Sequence, residues 1–190
     1  MSKRIERLLV VNRGEIARRI MRTAHNMGIS TVAIYSDGDV SEPFVGEADQ
    51  AVALGGSSSL ETYLDQEKVL SAARRTGADA IHPGYGFLSE NTAFAAAVQD
   101  AGITWIGPSA EAISQMGDKL SSKELMTKAG VPTLPSAEVS PDADAKKLAK
   151  EIGYPLLVKA SAGGGGKGMR VVESEGDLQD AVEGARREAG

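Results

Sequence analysis

The sequence predicts an α/β protein: an open parallel sheet in the first domain, followed by the start of a second, smaller unit. Three observations predict it. Five short apolar or β-branched runs are spaced along residues 1–115, segments of helical periodicity separate them, and those segments end on glycine. Runs of this kind suit strands buried on both faces. Strand–helix alternation with short connections implies a parallel sheet with right-handed crossovers.

In order, the predicted strands are RLLVV (7–11), TVAIYS (31–36), AVAL (51–54), DAIHP (79–83) and ITWIG (103–107). Between the first two, EIARRIMRTAHNMG sets Ile16, Ala17, Ile20, Ala24 and Met27 on one helical face, with Gly28 able to end the helix. DQEKVLSAARRTG and SENTAFAAAVQDAG repeat that scheme. This first domain is placed at 1–115. Two short helical pieces follow in a connection at 116–135 and just before it, SAEAISQMG and DKLSSKELMTKAG, with Ser109 and Asp118 as N-caps. VPTLPSAEVSPDAD, with prolines at 132, 135 and 141, marks a passage between domains.

The last unit, 136–190, reads as helix (DADAKKLAKEIG), strand (YPLLVKAS), glycine loop, strand (GMRVVES) and helix (SEGDLQDAVEGARREAG). Leu178, Ala181, Val182 and Ala185 share a face of that last helix, and Ser174 with Asp177 resembles a capping box. A unit of this size is small for an independent core, so it reads as the opening of a larger domain.

Composition narrows the function. Hydrophobic residues at 42% and charged residues at 25% are those of an ordinary globular chain. A net charge of -5 argues against nonspecific nucleic-acid binding, which needs a basic face. There are no cysteines, which excludes disulfides, thiolate catalysis and thiolate zinc sites. With His25 and His82 as the only histidines, a histidine metal site is not expected either. The apolar run before Asn12 is too short for a secretory signal, and no segment has the ~18 apolar residues of a membrane span. A cytoplasmic protein is expected, or a mitochondrial one if a transit peptide has been removed.

The strongest local signal is KASAGGGGKGMRVV at 159–172. Four consecutive glycines cost more backbone entropy than any other four residues, so they need a reason. A Walker A loop is rejected: Ser161 stands where its first glycine belongs, Gly168 follows Lys167, and a strand follows the loop where a helix is required. A dinucleotide fingerprint would follow the first strand, but VVNRGEIARRI has one glycine where three are needed, leaving Asp37 and Asp39 as isolated candidate ribose ligands. The favoured reading is a hairpin lid whose uncovered amides donate to a triphosphate, with Lys159 and Lys167 adding charge. Its bland alternative is a flexible hairpin loop without ligand.

Three blocks together, NRGEIARRI (12–20), HPGYGFLSEN (82–91) with MGDK (116–119), and KASAGGGGKGMRVV, resemble the biotin carboxylase family of ATP-grasp enzymes in content, order and spacing. The resemblance implies a Rossmann-like pre-ATP-grasp domain followed by the start of an ATP-grasp lid domain. It implies a reaction in which MgATP and bicarbonate, through carboxyphosphate, carboxylate biotin on a carrier domain for a carboxyltransferase that selects the acyl acceptor. Lys119 and Lys159 resemble the family's phosphate-contacting lysines. Gly163, Gly164, Gly165, Gly166, Lys167, Gly168 and Met169 match its nucleotide lid, and Tyr85 and Gly86 its biotin-side loop. Arg19 and Arg22 resemble the side used in family dimer contacts, which implies a homo-oligomer. Ala162 and Lys167 depart from the family's usual glycine and arginine; lysine keeps the charge but loses the planar fork.

Read without the resemblance, Lys119 is a helix-end lysine, His82 a structural histidine, Arg13 a helix-start residue making structural hydrogen bonds, Gly84 and Gly86 turn residues, and Arg19 and Arg22 a solvated face. The family's magnesium ligands, base and biotin-stabilising arginine match nothing in 1–190, so no residue here is assigned a catalytic or metal role. Two readings follow: part of a biotin-dependent carboxylase, inactive alone, or a standalone noncatalytic module that binds a nucleotide or a partner.

Overall fold

The computed structural model describes residues 4–117, 119–140, 143–159 and 169–189. The chain divides into two compact units, Met1–Leu125 and Met126–Gly190.

In the first unit, β1 (Arg7–Val10), β2 (Ser30–Tyr35), β3 (Gln50–Ala53), β4 (Ala80–His82) and β5 (Thr104–Trp105) form one sheet in the order β3-β2-β1-β4-β5. All four pairings are parallel, with Leu9 level with Val32 on one side and Ile81 on the other. Helices α1 (Gly14–Asn26), α2 (Pro43–Glu47), α3 (Gln66–Thr76), α4 (Thr92–Asp100) and α5 (Ala110–Gly117) cover it. Because side chains alternate along a strand, β1 feeds two cores. Leu9 and Val11 pack with Val69 and Ala73 of α3 and Phe94 and Val98 of α4. Leu8 and Val10 pack with Ala17, Ile20, Met21 and Ala24 of α1 and Phe44 of α2. The doubly covered sheet inferred from the apolar runs is the one observed.

The caps are local chemistry. Asp65 accepts from the Lys68 N–H at 3.0 Å to start α3, Asn91 from the Phe94 N–H at 2.8 Å to start α4, and Ser109 from the Ala112 N–H at 3.1 Å to start α5. Two expectations need correction. Met27 is not on the apolar face of α1: it lies beyond the last helical residue as the C-cap and is 65% exposed, and Met21 fills the core in its place. Only Thr104 and Trp105 of the run at 103–107 are paired strand: the Ile106 N–H still donates to Ile81 O at 2.9 Å, and the chain then leaves the sheet, with Trp105 donating its indole N–H to Pro108 O at 2.9 Å.

Helix α6 (Lys119–Lys128) leads into the second unit, where residues 131–140 have no regular structure. There α7 (Ala145–Ile152), capped by Asp144, and α8 (Glu175–Ala189) pack on an antiparallel pair, β6 (Leu156–Val158) and β7 (Arg170–Val172). Val172, Leu178, Ala181, Val182 and Ala149 form its core. The Ser174 hydroxyl donates to Asp177 Oδ2 at 2.7 Å, where the sequence suggested a capping pair.

Candidate functional site

In the first unit the strand order reverses between β1 and β4, since β2 and β3 lie to one side of β1 and β4 and β5 to the other. Open α/β sheets bind ligands outside the carboxyl ends of the two strands at such a reversal. The residues that emerge there are Asn12, Arg13 and Gly14 after β1, and Pro83 to Phe87 after β4. Asn12, Arg13, Gly14, Tyr85, Gly86 and Phe87, together with Glu15 and Ile16, line an open cleft of about 450 Å3, a volume in the range of small-molecule sites.

Each wall is held from behind. Asn12, only 3% exposed, donates both amide N–H groups to the loop after β4, to Pro83 O at 2.8 Å and Tyr85 O at 2.7 Å. Its Oδ1 accepts from the Arg13 N–H at 3.0 Å. His82 Nδ1 accepts from the Gly84 N–H at 3.0 Å, so the ring is neutral in this arrangement, and burial pushes its pKa down. The Tyr85 hydroxyl donates to Glu15 Oε1 at 2.6 Å, a bond that raises its pKa. Phe87 holds a positive φ of 43° and stacks on Tyr63, ring centroids 5.1 Å apart.

Arg13 closes the cleft with a pinned cation. Its Nη1 lies 3.3 Å from Asp39 Oδ1, and its guanidinium carbon lies 5.8 Å from the Tyr63 ring centre and 5.9 Å from that of Phe87, within cation–π range. Asp39 accepts from Ser36 and Tyr63. Burial pushes the Asp39 carboxyl up, but the hydrogen bonds from Tyr63 and Ser36, with the Arg13 charge, outweigh it and hold it below the usual carboxylate range. The same burial and the adjacent carboxylate push the Tyr63 phenol well up. With Asp39 already offsetting Arg13, the Glu15 carboxylate leaves the cleft without net positive charge. It suits a neutral ligand with a hydrogen-bonding edge better than an anion. Gly86, exposed on the rim, offers an N–H that no described residue accepts.

The second unit offers a different surface. Leu157 and Val171 stand opposite each other in the β6–β7 pair, on the face away from the helices, 52% and 66% exposed. Continuing that register by one step sets Lys159 opposite Met169, and the period of two puts both on this same face. Lys159 is exposed and Met169 is 48% exposed. The face is therefore an apolar floor with a cation at one end, suited to a flat heteroaromatic ring joined to an anionic tail.

The structure thus brings Tyr85 and Gly86 to the cleft, and sets Lys159 and Met169, both exposed, just beyond the paired ends of β6 and β7. Lys119 opens α6. Arg19 and Arg22 are exposed on α1, away from its buried face. Gly163, Gly164, Gly165, Gly166, Lys167 and Gly168 lie outside the described residues. Among the described residues no group of three or more histidines, aspartates and glutamates could hold a metal ion. Sequence reasoning gave Asn12, Glu15, Tyr63 and Phe87 no site role, and read Asp39 only as an isolated candidate ribose ligand. Asn12, Glu15 and Phe87 lay inside the quoted blocks, but nothing near Tyr63 in the chain marks it as a partner of Asp39.

Comparison with known proteins gives the same two regions separate matches. Residues 4–113 match the family model described as biotin carboxylase, N-terminal domain, and residues 118–190 match carbamoyl-phosphate synthase L chain, ATP binding domain. The mitochondrial methylcrotonoyl-CoA carboxylase subunit alpha of Dictyostelium discoideum is 51% identical over 98% of this chain and 27% of its own length. The biotin carboxylase of Haemophilus influenzae is 49% identical over 97% of this chain and 42% of its own. Among solved structures, a Campylobacter jejuni biotin carboxylase complex with β-γ-ATP superposes with a TM-score of 0.86 at 46% identity, over 98% of this chain and 42% of that one. The biotin carboxylase domain dimer of Hydrogenobacter thermophilus 2-oxoglutarate carboxylase, with MgADP, ADP and bicarbonate, gives 0.84 at 47% identity, over 99% and 42%. The chain therefore spans between 27% and 42% of the length of these relatives. With more than half its residues under one family model and a parallel sheet ordered as above, the chain belongs to the biotin carboxylase N-terminal domain family.

Proposed function

We propose that this chain does the work of the N-terminal portion of a biotin carboxylase: with MgATP and bicarbonate it takes part in carboxylating biotin on a carrier domain, the first half of acyl-CoA carboxylation. The observation that carries the reading is the outward face of β6–β7, where Leu157, Val171 and Met169 offer a nucleobase an apolar floor beside the Lys159 ammonium. Lys119, Gly163 to Gly166, Lys167 and Gly168 complete the phosphate contacts in this reading. Phosphoryl transfer asks a protein mainly for positioning and charge neutralisation, which lysines and backbone amides supply.

MgATP, when bound, supplies the phosphoryl group that activates bicarbonate. In this reading the magnesium ligands belong to other residues of the enzyme, as the family resemblance implies. The cleft at the carboxyl ends of β1 and β4 serves the biotin side. Its lack of net positive charge suits a neutral ureido ring, and the Gly86 N–H, the Tyr85 ring and the Phe87 ring form its polar and apolar contacts. Arg19 and Arg22 lie in a subunit contact, a reading supported by the Hydrogenobacter structure being a dimer. The carrier domain and a carboxyltransferase are the partners, and the location is cytoplasmic.

The test is ATP cleavage by the native gene product with bicarbonate and free biotin. Cleavage that requires bicarbonate and rises with biotin is the expected result. Cleavage indifferent to both would sink the reading. The 190-residue chain by itself is expected to show negligible turnover.

A further inference from the structure

We infer that Asn12 is the positioning residue of the cleft, fixing the backbone of Tyr85 and Gly86 against the end of β1; the inference rests on the biotin reading above. A side-chain amide has two N–H donors and one carbonyl acceptor that matter here, and Asn12 commits all three groups. Both N–H groups go to carbonyls of the opposite loop, Pro83 and Tyr85, and Oδ1 takes the Arg13 N–H. The two bonded segments follow β1 and β4, about seventy residues apart in the chain but adjacent in the sheet. Asn12 is thus the clamp between the two halves of the cleft.

The loop it holds needs such a clamp. Gly84 and Gly86 both have φ of 67°, and Phe87, which is not glycine, has φ of 43°. Backbone in sparsely populated regions persists when its surroundings over-determine it. On the far side the loop is tied by the stack of Phe87 on Tyr63. On the near side, Asn12 supplies the bonds to Pro83 and Tyr85. Neither aspartate nor alanine reproduces this. Aspartate, ionised, would set an oxygen against two carbonyl oxygens, and alanine would leave both carbonyls without this donor, that of Pro83 in a buried place. Gly86 and Tyr85 then present their cleft-lining atoms in one place only while Asn12 holds.

The experiment compares Asn12→Asp, which keeps the shape, and Asn12→Ala in the native gene product. Free biotin is varied at saturating ATP and bicarbonate, then ATP at saturating biotin. The KM for biotin is expected to rise about tenfold while that for ATP stays within about twofold. If Asn12→Ala does not fold, the isosteric Asn12→Asp carries the comparison. A variant that melts earlier but keeps its biotin KM would show Asn12 to be structural only and overturn the inference. So would an equal rise in both KM values. A wild-type protein with no biotin-dependent turnover would instead overturn the functional reading beneath it, and the two failures are told apart by the wild-type assay.

Discussion

The phenol of Tyr63 donates a 2.5 Å hydrogen bond to Asp39 Oδ2, while its oxygen accepts the Ser36 N–H at 3.1 Å. Tyr63 is 1% exposed and Asp39 9%, so both ends of the bond are out of water, and the pair braces Arg13 and Phe87 at the edge of the cleft. A carboxylate this close to the reversal of the sheet invites a catalytic reading, but its acceptor capacity is spent on Ser36, Tyr63 and Arg13. Asp39 is a support.

Tyr63→Phe tests that support. The ring and its stack survive, and the Asp39 oxygen and the Ser36 N–H each lose a partner. A buried polar group left unsatisfied costs roughly 1–3 kcal/mol, and a loss in that range is expected in urea unfolding at neutral pH. The folded pKa of Asp39 lies below its unfolded value, so its contribution is present above about 3.8 and is lost as pH falls through the folded value. Removing the Tyr63 donor raises the folded pKa toward normal. The variant should therefore lose less stability than wild type between neutral and acid pH; parallel acid limbs would contradict the assignment.

Two glycines with the same φ should respond differently to alanine. At Gly86 a Cβ would meet nothing within 4 Å, so Gly86→Ala carries only the cost of the left-handed backbone, about 1–2 kcal/mol. At Gly84 it would stand 2.8 Å from Asn12 Nδ2, and Asn12 cannot yield without giving up two carbonyls. Gly84→Ala should lower the denaturation midpoint clearly more than Gly86→Ala. Equal midpoints would mean that the clamp gives way easily.

Much of the fold was legible because its signals are local. The alternation of Leu8, Leu9, Val10 and Val11 announces a strand with two buried faces, and Ser109 stands where α5 begins. Met27 was misplaced because periodicity does not say at which turn a helix stops. The site was legible only in part. HPGYGF marks Tyr85 and Gly86 by their blocks, but the bonds of Asn12 to Pro83 and Tyr85 exist only once β4 lies beside β1. The contact of Asp39 with Tyr63 likewise depends on the turn after β2 meeting the segment before α3, which no pattern within either stretch encodes.

His82 gives the first unit a dependence on pH. Burial holds its folded pKa below the ordinary imidazole value of 6.5. The group therefore stabilises the fold fully above that value, and the contribution is lost as pH falls through the folded pKa. Protonation places a proton on Nδ1, where the Gly84 N–H now donates. The His82 ring resonances should titrate below 6.5, and His82→Gln should flatten the fall in melting temperature on mild acidification. A variant that falls as steeply as wild type would assign that limb to other groups.

Neighbouring valines of β7 separate stability from nucleotide binding. Val172 is fully buried under Leu178 and Val182, whereas Val171 faces outward beside Leu157. Val172→Asp puts an unpaired carboxylate in the small core of the second unit, at a cost of several kcal/mol, and this unit should no longer show a cooperative melt. Val171→Asp lies at a position 66% exposed and should leave the melt nearly unchanged. It removes apolar contact from the proposed nucleobase floor and adds a negative charge near the phosphates, so ATP affinity of the native gene product, measured by calorimetry, should fall about tenfold. A folded Val171→Asp protein that binds ATP as tightly as wild type would move the nucleotide away from this face. A Val172→Asp protein that melts normally would show that the β6–β7 pair is not packed as described.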